Sequence, residues 1–405
     1  MTVNDDCFVD LNLKLLWESE KVRHEERYHA PRVNVWRDIL PVQMDRRLRE
    51  SGKGDVFKMD VDSTRLGLTA RSDSRIKKLA NSGFSAPLVN GRKIIPRTGR
   101  FYPQGFLKGI TGVFPQTMTP FRCLEAEESF FVADLNHPFA GREASLEVEV
   151  LDVQEKEVDL GGSCRAWMEI LADGPGMQAG LPGKRTDFFE PDGFRREDES
   201  CDSDYYSRPR VTAHVDSKTR DNIARLYSSF LRPGDRVLDL MASAYSHFPE
   251  GIELGEVKGL GMNSEEMESN PCLDAHEVRD LNLDPRLPFA SGEFGAVVCA
   301  MSVEYLTSPA RVIAEANRIL KPGGRLIITF SHRWFPGKAV NIWTEMHEFE
   351  RLGFVSELVL QDGGFTEVST FSERGWPRPF DERDRYYPLL QLSDPLFAVT
   401  AEKRA

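Results

Sequence analysis

The chain has 405 residues, 40% of them hydrophobic and 29% charged, and a formal net charge of −12. That length exceeds one ordinary core, so two domains are expected, and the apolar-to-charged balance excludes a disordered chain. So acidic a surface repels phosphate backbones and anionic lipid, which argues against nucleic acid or membrane as a partner.

The first residues, Met1-Thr2-Val3-Asn4-Asp5-Asp6, are acidic where a signal peptide carries positive charge. No apolar run reaches the roughly 18 residues of a membrane span. Six cysteines (Cys7, Cys123, Cys164, Cys201, Cys272, Cys299) are scattered without a C-x-x-C pair, and the histidines lack metal-ligand spacing. The expectation is a cytoplasmic protein with reduced thiols and no metal centre.

Three stretches follow in chain order. Residues 1–153 are strand-rich and end in a run where Leu146, Val148 and Val150 alternate with polar neighbours, the period-two mark of a half-buried strand. Residues 154–215 read as a connector with turn chemistry, for example Ala172-Asp173-Gly174-Pro175-Gly176, although Trp167, Phe188 and Phe189 imply local packing. Within it, Arg195-Arg196 runs into Glu197-Asp198-Glu199 and reads as a solvated loop. From residue 216 to 405, strands and helices alternate, the pattern of an α/β doubly wound parallel sheet.

In this third stretch Ile223, Leu226, Tyr227 and Phe230 lie at helical spacing, stopped by Pro233-Gly234. A first strand, Arg236-Val237-Leu238-Asp239-Leu240, leads into a loop of small residues, Met241-Ala242-Ser243-Ala244. The second strand is Glu256-Val257-Lys258-Gly259-Leu260-Gly261, and the third ends at Val278-Arg279-Asp280. The fourth runs to Cys299, with Ser302-Val303-Glu304-Tyr305-Leu306 at its carboxyl end, where open α/β sheets bind ligands. Residues 309–320 form an amphipathic helix, and Lys321-Pro322-Gly323-Gly324 turns into a fifth strand ending at Phe330. A helix is expected over residues 339–352, a sixth strand over 354–360 and a seventh over 396–403.

This series resembles class I S-adenosylmethionine-dependent methyltransferases over nearly all of the last 190 or so residues. The resemblance implies a seven-stranded Rossmann-like sheet and S-adenosylmethionine as cofactor. It places Asp239 near the end of strand one with Met241 and Ser243 in the loop after it, and Gly261 at the end of strand two with Met262 and Asn263 following, all toward the cofactor. Asp280, Leu281 and Asn282 follow strand three, with Asp280 accepting from the adenine amino group, and Met301 follows strand four. Two departures stand out: the loop after Asp239 lacks the family's glycines, and Gly261 stands where the family has a ribose-binding acid, with Asn263 as a polar replacement.

The N-terminal stretch resembles SlyD-like FKBP-type prolyl isomerases. The resemblance rests on Asn136-His137-Pro138-Phe139-Ala140-Gly141 leading into the strand that ends at Val153, and on Phe101-Tyr102-Pro103-Gln104-Gly105, which would lie in that family's insert. It implies a β-rich FKBP-like α+β domain, with a short helix and strand between Ile39 and Phe57. Trp36 and Asp38 are the nearest candidates for its pocket residues.

Methyl transfer requires an acceptor in line with the sulfonium methyl and, for a hard nucleophile, a base. His247, His332 and Tyr305 leave strand ends and are the catalytic candidates; Tyr245, Glu304 and Trp334 lie nearby. The acidic surface favours a small-molecule methyl acceptor, and a small thiol or sulfide would ask least of the protein because it ionises near neutral pH. An inactive scaffold and a protein methyltransferase with a recruiting module are the competing readings, and a homo-oligomer is left open.

Overall fold

The computed structural model describes residues 1–157, 162–190, 192–382, 384–387 and 389–405. In chain order its elements are β1 (Cys7–Glu18), β2 (Arg23–Val33), α1 (Val42–Arg49), β3 (Val56–Asp62), β4 (Ile76–Ala80), β5 (Leu88–Val89), β6 (Arg92–Lys93), β7 (Phe101–Pro103), β8 (Pro120–Ala126), β9 (Phe130–Asp134), β10 (Glu143–Glu155), α2 (Trp167–Ala172) and α3 (Asp202–Tyr205). There follow α4 (Ser217–Ser228), β11 (Val237–Leu240), β12 (Val257–Gly261), α5 (Ser264–Glu268), β13 (Ala275–Val278), β14 (Phe294–Ala300), α6 (Pro309–Ile319), β15 (Leu320–Phe330), α7 (Asn341–Glu345), α8 (Arg351–Asp362), β16 (Phe365–Arg374) and β17 (Leu396–Lys403).

Eleven strands form one sheet in the order β13-β12-β11-β14-β15-β17-β16-β2-β1-β10-β3. The first five are parallel, joined by crossovers, and β17 runs antiparallel between β15 and β16. This is the doubly wound sheet expected from residue 216 onward, with apolar side chains buried on both faces. The N-terminal strands β2, β1, β10 and β3 are mutually antiparallel. β1 alternates buried and half-buried residues along its length, as one covered face demands. Between β3 and β10 the chain leaves to build a separate four-stranded sheet, β4-β9-β8-β7, closed around Phe84, Tyr102, Phe121 and Phe131.

The two halves join edge to edge. β2 lies parallel to β16, in register from Ser369 opposite Arg23 to Arg374 opposite Tyr28.

Two sequence expectations are corrected. Residues 354–360 are not a strand: they lie within α8, which buries Leu352, Phe354, Val355, Leu358 and Val359 and ends at Gly363 in the left-handed conformation (φ 72°). A helix buried around most of its circumference reads as a continuous apolar run, so periodicity could not separate it from a buried strand. The sixth strand is instead β16, whose Ser, Thr and Glu content hid it. The expected helix at 339–352 is shorter, α7, followed by a 3₁₀ turn at Glu348–Glu350 that leads into α8.

The connector is also more ordered than turn chemistry implied. Trp167, Met168, Leu171 and Met177 pack into the N-terminal core against β1, β2 and α1. Trp17 Nε1 donates to the Gly176 carbonyl at 3.0 Å, and Gly176 N–H donates to Glu26 at 2.8 Å. Any Cβ at Gly174 would fall 2.0 Å from the Glu26 carboxylate, so only glycine lets the backbone come this close. Arg196, expected in a solvated loop, is buried and bonds Asp202 at 2.7 Å; Arg195 is exposed.

Buried charges clamp the halves together. Arg100, just before β7, forks onto Glu350 with Nε and Nη2 contacts of 2.7–3.0 Å, and Phe101 N–H adds a third donor at 2.8 Å. Both side chains are within 3% of full burial, a position where a lone charge is severely penalised. Removing one partner strands the other. Glu350→Gln is therefore expected to destabilise the chain by about 3–5 kcal/mol in urea unfolding, with the Arg100→Met, Glu350→Leu double variant losing less than the sum of the single losses.

Candidate functional site

The carboxyl ends of β11, β12, β13 and β14 open into a cleft of about 780 Å³. Of the residues expected to hold a cofactor, Met241, Ser243, Gly261, Met262, Asn263, Asp280, Leu281, Asn282 and Met301 all line it.

Asp239 does not. Its side chain is fully enclosed, is held by Ser246, leaves Oδ2 without a partner, and burial pushes its carboxyl up to about 7. It lies behind the loop it precedes. That loop keeps a glycine-like path without glycine: Met241 sits at φ 61° and Met301, opposite it after β14, at φ 52°. Both are in the left-handed region that bulky residues rarely occupy, and backbone strain of this kind clusters at ligand sites.

Gly261 is where the ribose acid was missed. A Cβ there would fall 2.2 Å from the Ala242 carbonyl, so the loop after β11 packs directly on the end of β12 and no side chain fits. Asn263 is occupied otherwise: its Oδ1 accepts from Glu266 N–H to cap α5, and its Nδ2 donates to the Tyr206 and Ser207 carbonyls. The acid that reaches the cleft from this side is Glu266, which accepts from Ser243 Oγ at 2.7 Å and from Arg210 N–H at 2.6 Å. Asp280 Oδ1 accepts from the Asn282 and Leu283 N–H groups, and no protein donor among the described residues reaches its Oδ2. A carboxylate oxygen held ready beside buried Leu281, with Ser243 and Glu266 across the cleft, suits an adenosine.

The roof was not foreseen. Asp202, Tyr206, Arg210 and His214 come from the connector and line the cleft with Phe335. Asp202 fastens this segment down: it accepts from Arg196 and from Asn282 Nδ2 at 2.8 Å, and lies 3.1 Å from the fully buried Lys338. The one available signal was the aromatic pair Tyr205-Tyr206 between charged residues, which sequence reading passed over as turn chemistry.

Of the three catalytic candidates, only Tyr305 faces the cleft. Its hydroxyl accepts from Phe335 N–H at 2.9 Å, its ring stacks on Phe335, and burial raises its phenol well above the usual range, so it remains protonated. His247 stands at φ 59°, outside the lining, and burial lowers its imidazole to about 4, with His214 and Arg220 adding to the effect. His332 Nε2 lies 3.5 Å from Asp394, which Arg333 and Arg378 also engage, away from the cleft. The histidine in the lining is His214, which burial holds below the usual range against the upward pull of Glu266. Neither Tyr245 nor Trp334 lines the cleft.

Residues 260–328 match the family model described as a methyltransferase domain. The C-terminal half carries a methyltransferase domain. The Renibacterium salmoninarum demethylmenaquinone methyltransferase is 32% identical over 119 residues, covering 28% of this chain and 48% of that protein. The Francisella philomiragia ubiquinone/menaquinone biosynthesis C-methyltransferase is 27% identical over 143 residues, covering 33% and 56%. The chain thus spans about half the length of the curated relatives it matches. Among solved structures, the putative methyltransferase complexed with the Haloferax volcanii Trm112 activator aligns over 46% of this chain and 92% of its own, at 16% identity and a TM-score of 0.34.

Beside Tyr305, Glu304 is fully buried with neither carboxylate oxygen hydrogen-bonded, and burial pushes it up to about 8. In the unfolded chain it ionises near the ordinary glutamate value, so folding loses stability as pH rises from about 4.5 toward 8. Glu304→Gln is expected to raise the melting temperature more at pH 8 than at pH 5; an equal shift at both values would show that Glu304 is ionised in the fold.

Proposed function

We propose that this protein transfers a methyl group from S-adenosylmethionine to a small planar acceptor carrying an acidic hydroxyl or enol. The cofactor supplies an electrophilic methyl group. Asp280, Leu281 and Asn282 would hold its adenine, and Glu266 with Ser243 its ribose, in place of the acid absent at Gly261. Tyr206, Tyr305 and Phe335 supply flat walls, which suit a ring by stacking and exclude water. His214, neutral at physiological pH, would take the acceptor's proton.

The observation that carries this reading is the free Asp280 oxygen facing an aromatic-roofed cleft. The relatives named above, which act in ubiquinone and menaquinone biosynthesis by their printed names, favour the same class of acceptor over the small thiol or sulfide expected from sequence. The acidic charge favours a small molecule over nucleic acid, and we place the protein in the cytoplasm; among the described residues no helix is long and apolar enough to cross a membrane.

We read the N-terminal half as an FKBP-like scaffold, not an isomerase. A helix packed on an antiparallel sheet, with a second sheet inserted between β3 and β10, supports the likeness. The apolar face is filled by Trp167, Met168, Leu171 and Met177, which supports a structural role. This filling also disfavours a module that recruits protein substrates.

Isothermal titration tests the cofactor step. Micromolar binding of S-adenosylmethionine and S-adenosylhomocysteine, at least tenfold weaker in Asp280→Ala, is expected; absence of binding by the wild-type chain would favour the inactive scaffold. In a methyl-transfer assay across quinols, phenols and small thiols, His214→Asn should lower kcat at least tenfold with cofactor affinity unchanged. The wild-type acid limb should fall below pH 6.5, as the lowered imidazole requires, and should vanish in the variant.

A further inference from the structure

A second cavity, of about 410 Å³, shares no lining residue with the methyltransferase cleft and lies where four parts of the chain converge. Val22 and His24 come from the N-terminal sheet, Phe101 and Arg122 from the inserted sheet, Gln178 and Thr186 from the connector, and Glu350 and Ser356 from the C-terminal half.

Its charge is unbalanced. Glu350, the nearest acid, is already forked by Arg100. Asp134, the next, is paired with Arg71 at 3.0 Å. Glu357, at the rim, is held by Arg185. Among the described residues no ion pair includes Arg122. One of its Nη groups donates to the Ala179 carbonyl, its face lies 4.2 Å from the Phe101 ring centroid, and its Nε is buried without a partner. Behind it Arg142, stacked over Trp17 at 5.0 Å, also forms no ion pair among the described residues. Arg142 is close enough to push down both Arg122, to about 9, and His24, to about 3, each on top of the larger effect of burial. His24 is therefore neutral and balances nothing.

Arg122 thus stands in the wall of the junction, half-buried Arg142 adds a second positive charge outside the lining, and both lining glutamates, Glu350 and Glu357, are already paired. A buried cation without a counter-charge is costly, and proteins meet that cost with a paired anion. The planar fork of arginine matches a carboxylate or phosphate in two parallel hydrogen bonds, and ring stacking on Phe101 fixes the fork's orientation. Thr186 and Gln178 add polar groups to the wall.

We propose that this junction binds a small oxyanion of the carboxylate or phosphate class, gripped by Arg122 with Arg142 behind it. Such a ligand would touch the inserted sheet and line up against the connector and α8 together, and so would tighten the joint between the two halves.

The test is isothermal titration of the full chain with inorganic phosphate and, separately, with succinate, at constant ionic strength set by chloride. Saturable binding of at least one probe is expected, at least tenfold weaker in Arg122→Gln and several-fold weaker in Arg142→Gln. Phosphate binding alone would identify a phosphate site, and succinate binding alone a carboxylate site. Thermal unfolding in anion-free buffer checks the variants, and Arg122→Gln should melt no lower than wild type because it removes an unpaired charge. Titration of neither probe to saturation by the wild-type chain, or equal affinity in wild type and both variants, would overturn the proposal.

Discussion

The pairing of β2 with β16 is the constraint on which the rest depends. It puts an edge strand of the methyltransferase sheet into the middle of an eleven-stranded sheet. β16 is therefore largely buried although it reads Phe365-Thr366-Glu367-Val368-Ser369-Thr370; Glu367 reaches the surface, and the charges at the carboxyl end of the strand are met inside the protein. Arg374 reaches Glu26 on β2 at 2.8 Å, and Glu373 takes both Arg225 and Trp376 Nε1. The Arg100–Glu350 clamp belongs to the same arrangement, because the joined sheet sets the inserted sheet against the start of α8. A hydrophobic seam would have joined the halves by area alone; paired charges additionally fix one register, since a slip by one residue would leave each of them unpaired.

The parts of the chain that were legible in sequence are those whose burial follows a simple period. β11, β12, β14 and the apolar part of β15 stood out because parallel strands covered on both faces are short apolar runs. Lys321-Pro322-Gly323-Gly324, expected as a turn before the strand, lies within β15. Asp280 was pointed to by the family resemblance. α8 and β16 exchanged appearances for a physical reason. α8 is a helix enclosed nearly all round, so its sequence is apolar without a stripe. β16 is a strand whose partners lie in another domain, so its sequence is polar without being exposed. Only the long-range pairing explains either, and pairing between distant segments leaves no local mark. His214 and Tyr206 escaped notice for the same reason: nothing in residues 200–214 except their aromatic content distinguishes a roof from a loop.

The departures from the family pattern likewise resolve into packing. The loop without glycines still takes up left-handed backbone at Met241, and Met301 does the same after β14. The missing ribose acid did change something, because Ala242 sits where its Cβ would be. A loop pressed this closely onto β12 brings Ser243 within 2.7 Å of Glu266, so the carboxylate at this side of the cleft stands on the first turn of α5 and not at the strand end. There it also gains the favourable field of a helix N-terminal turn for its negative charge. Loss and replacement are two consequences of one close contact.

The connector ties these sites together in a single direction. Near its start, Trp167 and Met177 are sunk into the N-terminal core, and Gly174 and Gly176 are pressed against Glu26 with no space for a Cβ. Near its end, Tyr206, Arg210 and His214 roof the cleft, held by side-chain hydrogen bonds from Asn263 and by the charges around Asp202. The roof end is held by buried ion pairs around Asp202 and by rings packed on Phe335, and the start of the connector by the large apolar ring of Trp167 and its neighbours. The connector is thus anchored in the N-terminal core at one end and laid over the cleft at the other, and the N-terminal half serves the site by fixing where that segment begins.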